Sequence, residues 1–165
     1  MRTTEDMKPH PISPHSLPAL HQLNQDHALE LSSLTFVEFT HLVECTSYTR
    51  AIGDEAMMLV FDQDADYDSV NFLWFRERYE AFAYVDRIVI APTRQGRGIA
   101  RLFYEGLFDW AREVGLERVV AEYNSEPLNV GSEAFHAKMG FVPLSDMVME
   151  GCGKTVRHVV CELTP

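Results

Sequence analysis

The stretch Ile88-Val-Ile-Ala-Pro-Thr-Arg-Gln-Gly-Arg-Gly-Ile-Ala100 decides the fold. It leads an apolar run, Ala83 to Ala91, into Pro92, which cannot donate to a strand ladder and so stops it. Beyond the glycines, Ile99, Phe103, Leu107, Trp110 and Val114 recur at helical spacing until Gly115. A buried strand therefore runs through a glycine-bearing turn directly into an amphipathic helix. The first N–H groups of a helix lack intrahelical acceptors and carry a partial positive charge. Glycine lets such backbone approach an anion with no Cβ in the way. Residues 95–100 thus read as a seat for a phosphate, with Arg94, Arg97 and Arg101 adding positive charge. Two other phosphate loops are excluded. The third glycine of the dinucleotide-binding pattern is replaced by Arg101, and no Gly-Lys-Ser/Thr ending is present.

Upstream, Leu17, Leu20, Leu23, His27 and Leu31 predict a helix with Ser16 as its N-cap, and a second helix is expected over 36–45. Residues 48–52 and 56–61 flank Gly53-Asp54-Glu55 as a hairpin. Residues 62–79 read as a long loop, acidic at its start and aromatic at its end. The run Asp62-x-Asp64-x-Asp66 is no calcium loop, because Tyr67 and Leu73 stand where glycine and glutamate are required. Downstream, a strand is expected over 119–123 and a short helix over 132–139. Two last strands, 141–150 and 155–163, turn at Gly151-Cys152-Gly153. Residues 1–15, with Pro9, Pro11 and Pro14, read as a mobile arm, and 16–165 as one domain. Strands and helices mixed around one sheet place the fold in the α/β (α+β) class.

Composition narrows the function. With 25 acidic against 14 basic residues among 165, the net charge of −11 disfavours a phosphate backbone, so no nucleic acid is expected as a partner. No apolar run approaches the ~20 residues needed to span a bilayer, and no membrane partner is expected. The first ten residues lack a signal-peptide core. Three cysteines without CxxC spacing fit a reducing cytoplasm and argue against a zinc site or disulfide framework. The expectation is a cytoplasmic protein without a metal.

Two ordered blocks then point to one family. Gln95-x-x-Gly98-x-Ala100 resembles the pyrophosphate signature of the GNAT superfamily of acetyl-CoA-dependent N-acetyltransferases. Asn129-x-x-Ser132-x-x-Phe135-His136-x-x-x-Gly140-Phe141 resembles that family's later motif. The gap between them accommodates the helix, strand and loop that the family requires. The resemblance implies a central mixed, mostly antiparallel sheet, splayed at the cofactor site, with helices on both faces.

The same resemblance implies roles. The pyrophosphate of acetyl-CoA would lie on Gln95, Gly96, Arg97, Gly98, Ile99, Ala100 and Arg101. Its pantetheine arm would pair with the backbone of Ile88, Val89 and Ile90, whose side chains are equally well explained as sheet core. Asn129 would contact that arm or cap the short helix. The family's usual proton donor is a tyrosine, and here that position holds His136. A histidine can donate from a ring nitrogen, so the role can survive the exchange. Asp86 and Glu122, charged residues inside apolar strands, are the candidate bases. A salt bridge with Arg87 and a solvent-facing position are their structural alternatives. Asn71, Trp74, Phe75 and Tyr79, with Tyr67, are candidates for an aromatic wall that receives an amine.

The leading reading is therefore acetyl transfer from acetyl-CoA to a primary amine of a small molecule. A CoA-binding sensor or scaffold without turnover, and a protein or peptide acetyltransferase, are the alternatives. The final hairpin offers a contact for a homodimer, and the sequence leaves the oligomeric state open.

Overall fold

Ala56 to Phe61 is an unbroken apolar run, and each of its side chains is completely buried in the computed structural model, which describes residues 8–29 and 31–164. Such a run suits a strand covered on both faces. It belongs to β2 (Ala56–Asp62), which pairs antiparallel with β1 (Tyr48–Ile52), from Tyr48↔Val60 to Ile52↔Ala56. The predicted hairpin is present, with Gly53 at φ 53° in its turn. The remaining strands are β3 (Ala83–Ile90), β4 (Arg118–Glu126), β5 (Val142–Met149) and β6 (Lys154–Glu162). They form a mixed six-stranded sheet of order β1-β2-β3-β4-β6-β5. The helices are α1 (Leu17–Asp26), α2 (Phe36–Glu44), α3 (Val70–Arg76), α4 (Ile99–Glu113) and α5 (Val130–Lys138). The expected α/β class with a mostly antiparallel sheet is what the chain adopts.

Contacts within the chain gather into two compact units, one running to Asp66 and including Val85–Leu107, the other comprising Tyr67–Tyr84 and the chain from Phe108. In the first, Leu20, Leu23, Phe39, Ala51, Met57, Leu59 and Val89 form a continuous apolar core. Helix α2 starts with a complete capping box: Glu38 N–H donates to Thr35 Oγ1 at 3.2 Å, and Thr35 N–H donates to Glu38 Oε2 at 2.7 Å. That second bond also holds the Glu38 carboxyl below its usual range. Helix α1 departs from expectation at its start. A 3-10 turn, Pro14–Ser16, runs straight into it, so Ser16 is itself helical and its hydroxyl meets Ser13 Oγ at 3.3 Å instead of capping. The helix also stops at Asp26, and Leu31 beyond it packs onto the core as part of a loop. Of the expected arm, residues 1–7 lie outside the described residues. At its far end, His10 bridges Ala51 through reciprocal backbone bonds of 3.0 and 2.7 Å.

In the second unit, β4 pairs antiparallel with β6, and β6 with β5. The beginning of β3 joins β4 in parallel through Ala83↔Val119 and Tyr84↔Val120. Residues 62–79 are not all loop. Helix α3 occupies Val70–Arg76, because Ser69 Oγ accepts the Phe72 N–H at 3.2 Å and caps it, while Phe72 and Phe75 bury one face. Three aromatics within four residues show no clear period, so the cap was the readable signal. Arg157 ties β6 to its neighbours: it forks onto Asp146 of β5 at 2.8 and 3.1 Å and reaches Glu133 of α5 at 3.1 Å. The fork holds the Asp146 carboxyl below its usual range.

Candidate active site

The strand–turn–helix unit is built as the sequence requires. β3 alternates so that Val89 enters the core while Ile88 and Ile90 are half-buried. A 3-10 turn, Pro92–Arg94, follows; then Gly96 and Gly98 adopt φ 75° and 76°, and α4 begins at Ile99. These positive angles demand glycine. A Cβ at either position would meet nothing within 4 Å. The glycines therefore serve to turn the chain, and the space above them is open. Gln95, Gly96, Arg97 and Gly98 are all exposed, and the Gln95 amide donates to Ile90 O at 3.2 Å, closing the turn onto the strand. An exposed turn leading into a 15-residue helix fits a pyrophosphate.

The three arginines expected to add charge differ in their surroundings. Arg94 is buried and bonded to Glu55 at 2.6 Å, so it braces the turn. Arg101 pairs with Glu105 at 2.8 Å one helical turn on, where both are well exposed. Arg97 is exposed and makes no ion pair among the described residues. Along α4, Phe108 and Ala111 are buried where the sequence pointed to Trp110 and Val114, and Val114 is exposed. The buried stripe follows 99, 103, 107 and 111 with 104 and 108 beside it, the drift of a 3.6-residue period.

Asp86 is engaged. It accepts from Arg87 Nε at 2.9 Å with both side chains buried, and Arg87 further donates to Asn24 Oδ1 at 2.7 Å and Ser32 Oγ at 2.9 Å. This network ties β3 to the end of α1 and the loop after it.

In the second unit, Asn129 caps α5 by accepting the Ser132 N–H at 3.0 Å. One turn later His136 is buried. Its Nδ1–H donates to Ser132 O at 2.8 Å, and its ring stacks on Tyr123 at 5.4 Å and meets Phe141 edge-on at 5.2 Å. Burial pushes the imidazole below its usual range, and the Ser132 carbonyl opposes that. With Nδ1 donating, the neutral ring keeps its lone pair at Nε2 and can donate from there only as imidazolium.

Glu122 does not face solvent as an ordinary surface carboxylate: Tyr84 donates its phenolic hydrogen to Glu122 Oε1 at 2.7 Å. Directly across the ladder from Glu122 stands His158, fully buried. The α3 residues expected to receive an amine surround it. Asn71 accepts from His158 Nε2 at 2.9 Å, Trp74 stacks on the ring at 4.1 Å, and Phe75, itself fully buried, meets it edge-on at 5.1 Å. Arg78 covers the other side of the Trp74 system at 3.7 Å, and Arg118 lies over Tyr79 at 4.6 Å. Tyr67 packs on Phe72. Tyr84 and His158 went unnoticed in the sequence, although a polar group inside an apolar strand was the signal that drew attention to Glu122. Among the described residues no cluster of His, Cys, Asp and Glu could hold a metal ion, and no helix is long and apolar enough to cross a membrane.

The model of the acetyltransferase (GNAT) family matches residues 22–141, most of the chain, and the protein belongs to that family. Similar solved structures include the ribosomal-protein-S18-alanine N-acetyltransferase of Escherichia coli, 15% identical with a TM-score of 0.69, covering 96% of this chain and 94% of that one. A putative acetyltransferase from Salmonella typhimurium, yncA, solved with its cofactor acetyl-CoA, is 16% identical with a TM-score of 0.68 over 95% of this chain and 94% of its own. A putative phosphinothricin N-acetyltransferase is 14% identical with a TM-score of 0.70 over 96% and 99%. No curated protein matches the chain.

Proposed function

We propose that this protein transfers the acetyl group of acetyl-CoA to a primary amine of a small molecule. The exposed Gln95–Gly98 turn at the head of α4, with its two positive-φ glycines, carries the reading, since it offers a pyrophosphate seat in a chain of this family. Gln95 to Arg101 bind the diphosphate and the backbone of Ile88 to Ile90 pairs with the pantetheine arm. The neutral amine attacks the thioester carbon: the C–N bond forms, the C–S bond breaks, the amine's proton passes to a carboxylate, and the departing thiolate is protonated. Glu122 is the better base, because Asp86 is already committed to Arg87. His136 supplies the second proton as imidazolium. Asn71, Trp74 and Tyr79 shape the acceptor side as a packed wall, since Trp74 already lies between His158 and Arg78 and Tyr79 lies under Arg118.

Thiol release decides this. Acetyl-CoA is incubated with the full chain and a panel of small amines, with short peptides included. Release that depends on a small amine supports the proposal; release with peptides alone makes the acceptor a protein. CoA binding with no acceptor-dependent release across the panel makes the chain a sensor or scaffold.

A further inference from the structure

Nδ1 of His158, on β6, is a buried polar atom with no hydrogen-bond partner among the described residues. The ring's other nitrogen is fixed. Nε2–H donates to Asn71 Oδ1, so the neutral tautomer leaves a bare lone pair at Nδ1. Trp74 and Phe75 pack against the ring, and α3 thereby holds it in one orientation. An acceptor atom this deeply buried is nearly always matched to a donor. The residue directly opposite His158 across the β4/β6 ladder is Glu122. Side chains opposed in this way lie on one face with Cβ atoms about 5 Å apart. Tyr84 approaches Glu122 from the β3 side of β4, and His158 stands on the β6 side. Tyr84, Glu122, His158 and Asn71 thus form a polar row over three adjacent strands and a helix.

A carboxylate has no hydrogen to give to Nδ1, whereas a carboxylic acid has one. We infer that His158 is a positioning residue that completes the base: when Glu122 takes the amine's proton, the new O–H donates to His158 Nδ1, so the row is fully bonded only after proton transfer. No charge is created on the imidazole, and the proton stays on Glu122 until it passes to water. Desolvation, with help from Arg78, keeps His158 neutral by lowering its pKa to about 4, against a smaller opposing effect of Asp146 on β5. Arg78 after α3 and Asp146 on β5 are the charged groups that bear on it, while Glu122 on β4 stands opposite and the Tyr84 phenol on β3 is bonded to Glu122. A neutral acceptor beside the base favours its protonated form; an imidazolium would disfavour it. This deepens the acetyltransferase proposal and rests on it for the source of the proton, but the Glu122–His158 pair itself does not.

The test therefore has a part that needs no turnover. In full-length protein with ¹⁵N-labelled histidine and ¹³C-labelled glutamate, acidification should move the His158 Nδ1 resonance in step with the titration of the Glu122 carboxyl. In Glu122→Ala that linked movement should disappear, leaving only His158's own protonation. A His158 Nδ1 resonance indifferent to Glu122 in the wild type overturns the inference, whatever the enzyme does. With the amine that gives most thiol release, His158→Phe should lower kcat/KM roughly tenfold, leave CoA affinity unchanged and move the acid limb of the profile to lower pH, since protonated Glu122 has lost its acceptor. An unmoved acid limb in a folded variant also overturns it. If no amine releases thiol while the resonances remain linked, the acetyl-transfer reading fails and the pair stands.

Discussion

Arg94 and Glu55 join the Gln95–Gly98 turn to the β1–β2 hairpin: the guanidinium Nε sits 2.6 Å from the carboxylate, and the backbone carbonyl of Glu55 accepts the Ala91 N–H at 2.7 Å. Both bonds lie within one compact unit. A cation read from the sequence only as added positive charge is thus the brace of the turn. Glu55→Gln should cost about 1 kcal/mol of stability, since one partner of the pair is partly exposed. It should weaken CoA binding severalfold with little change in kcat at saturating acetyl-CoA. Calorimetry with CoA and steady-state kinetics check this.

Gly98→Ala places a Cβ in open space but at φ 76°, so the cost is conformational rather than steric. The left-handed region costs an alanine about 1–2 kcal/mol, and roughly tenfold weaker CoA binding should follow. Gly98→Asn should be milder, because asparagine visits that region more readily. Equal losses for both would mean that a side chain itself obstructs the ligand.

Glu122→Gln removes the proposed base and should reduce turnover by a factor on the order of 10² to 10³, with CoA affinity retained. Asp86→Asn instead strips the partner from buried Arg87 and should cost about 3 kcal/mol in thermal or denaturant unfolding. Turnover should fall less at 86 than at 122. The reverse order would transfer the base to Asp86.

His136 can donate from Nε2 only when protonated, and burial lowers its pKa. Acid assistance should therefore be present at low pH and fade as pH rises through that lowered value. His136→Ala should reduce kcat more than CoA affinity. His136→Tyr supplies a donor that stays protonated until about pH 10 and should hold turnover better at pH 8 than the wild type. Pre-steady-state and pH–rate measurements distinguish these.

His158 carries a stability signature as well. Its pKa falls from 6.5 to about 4 on folding, so between those values the unfolded chain binds a proton that the folded chain refuses. Stability should be complete above about pH 6.5 and be lost on acidification toward pH 4, by about 3 kcal/mol for this group. Denaturant unfolding of wild type and His158→Gln across that window should show the slope diminished in the variant.

The strand, turn and helix of 83–113 were legible because each rests on local physics: an apolar run stopped by proline, glycines where φ is positive, and a helical repeat. The β1–β2 hairpin and the α5–Gly140 end were legible for the same reason. Helix α3 was not, since its evidence is a serine cap and two buried rings rather than a period. The candidate site was half legible. Glu122, Asp86 and His136 declared themselves as polar groups in apolar settings, but their partners Tyr84, Arg87 and Ser132 differ greatly in sequence distance.

By itself the sequence determined the family, the element order apart from α3 and the turn that suits a pyrophosphate, because these follow from neighbours along the chain. Tertiary structure decided which charges are spent. Pairing β4 with β6 set Glu122 opposite His158, and packing α3 against them fixed that ring's tautomer through Asn71. Chain topology brought Arg94 to Glu55, and burial made His136 a reluctant cation. Protonation and pairing depend on what surrounds a group in space, and residues 84, 122 and 158 become neighbours only when the sheet forms.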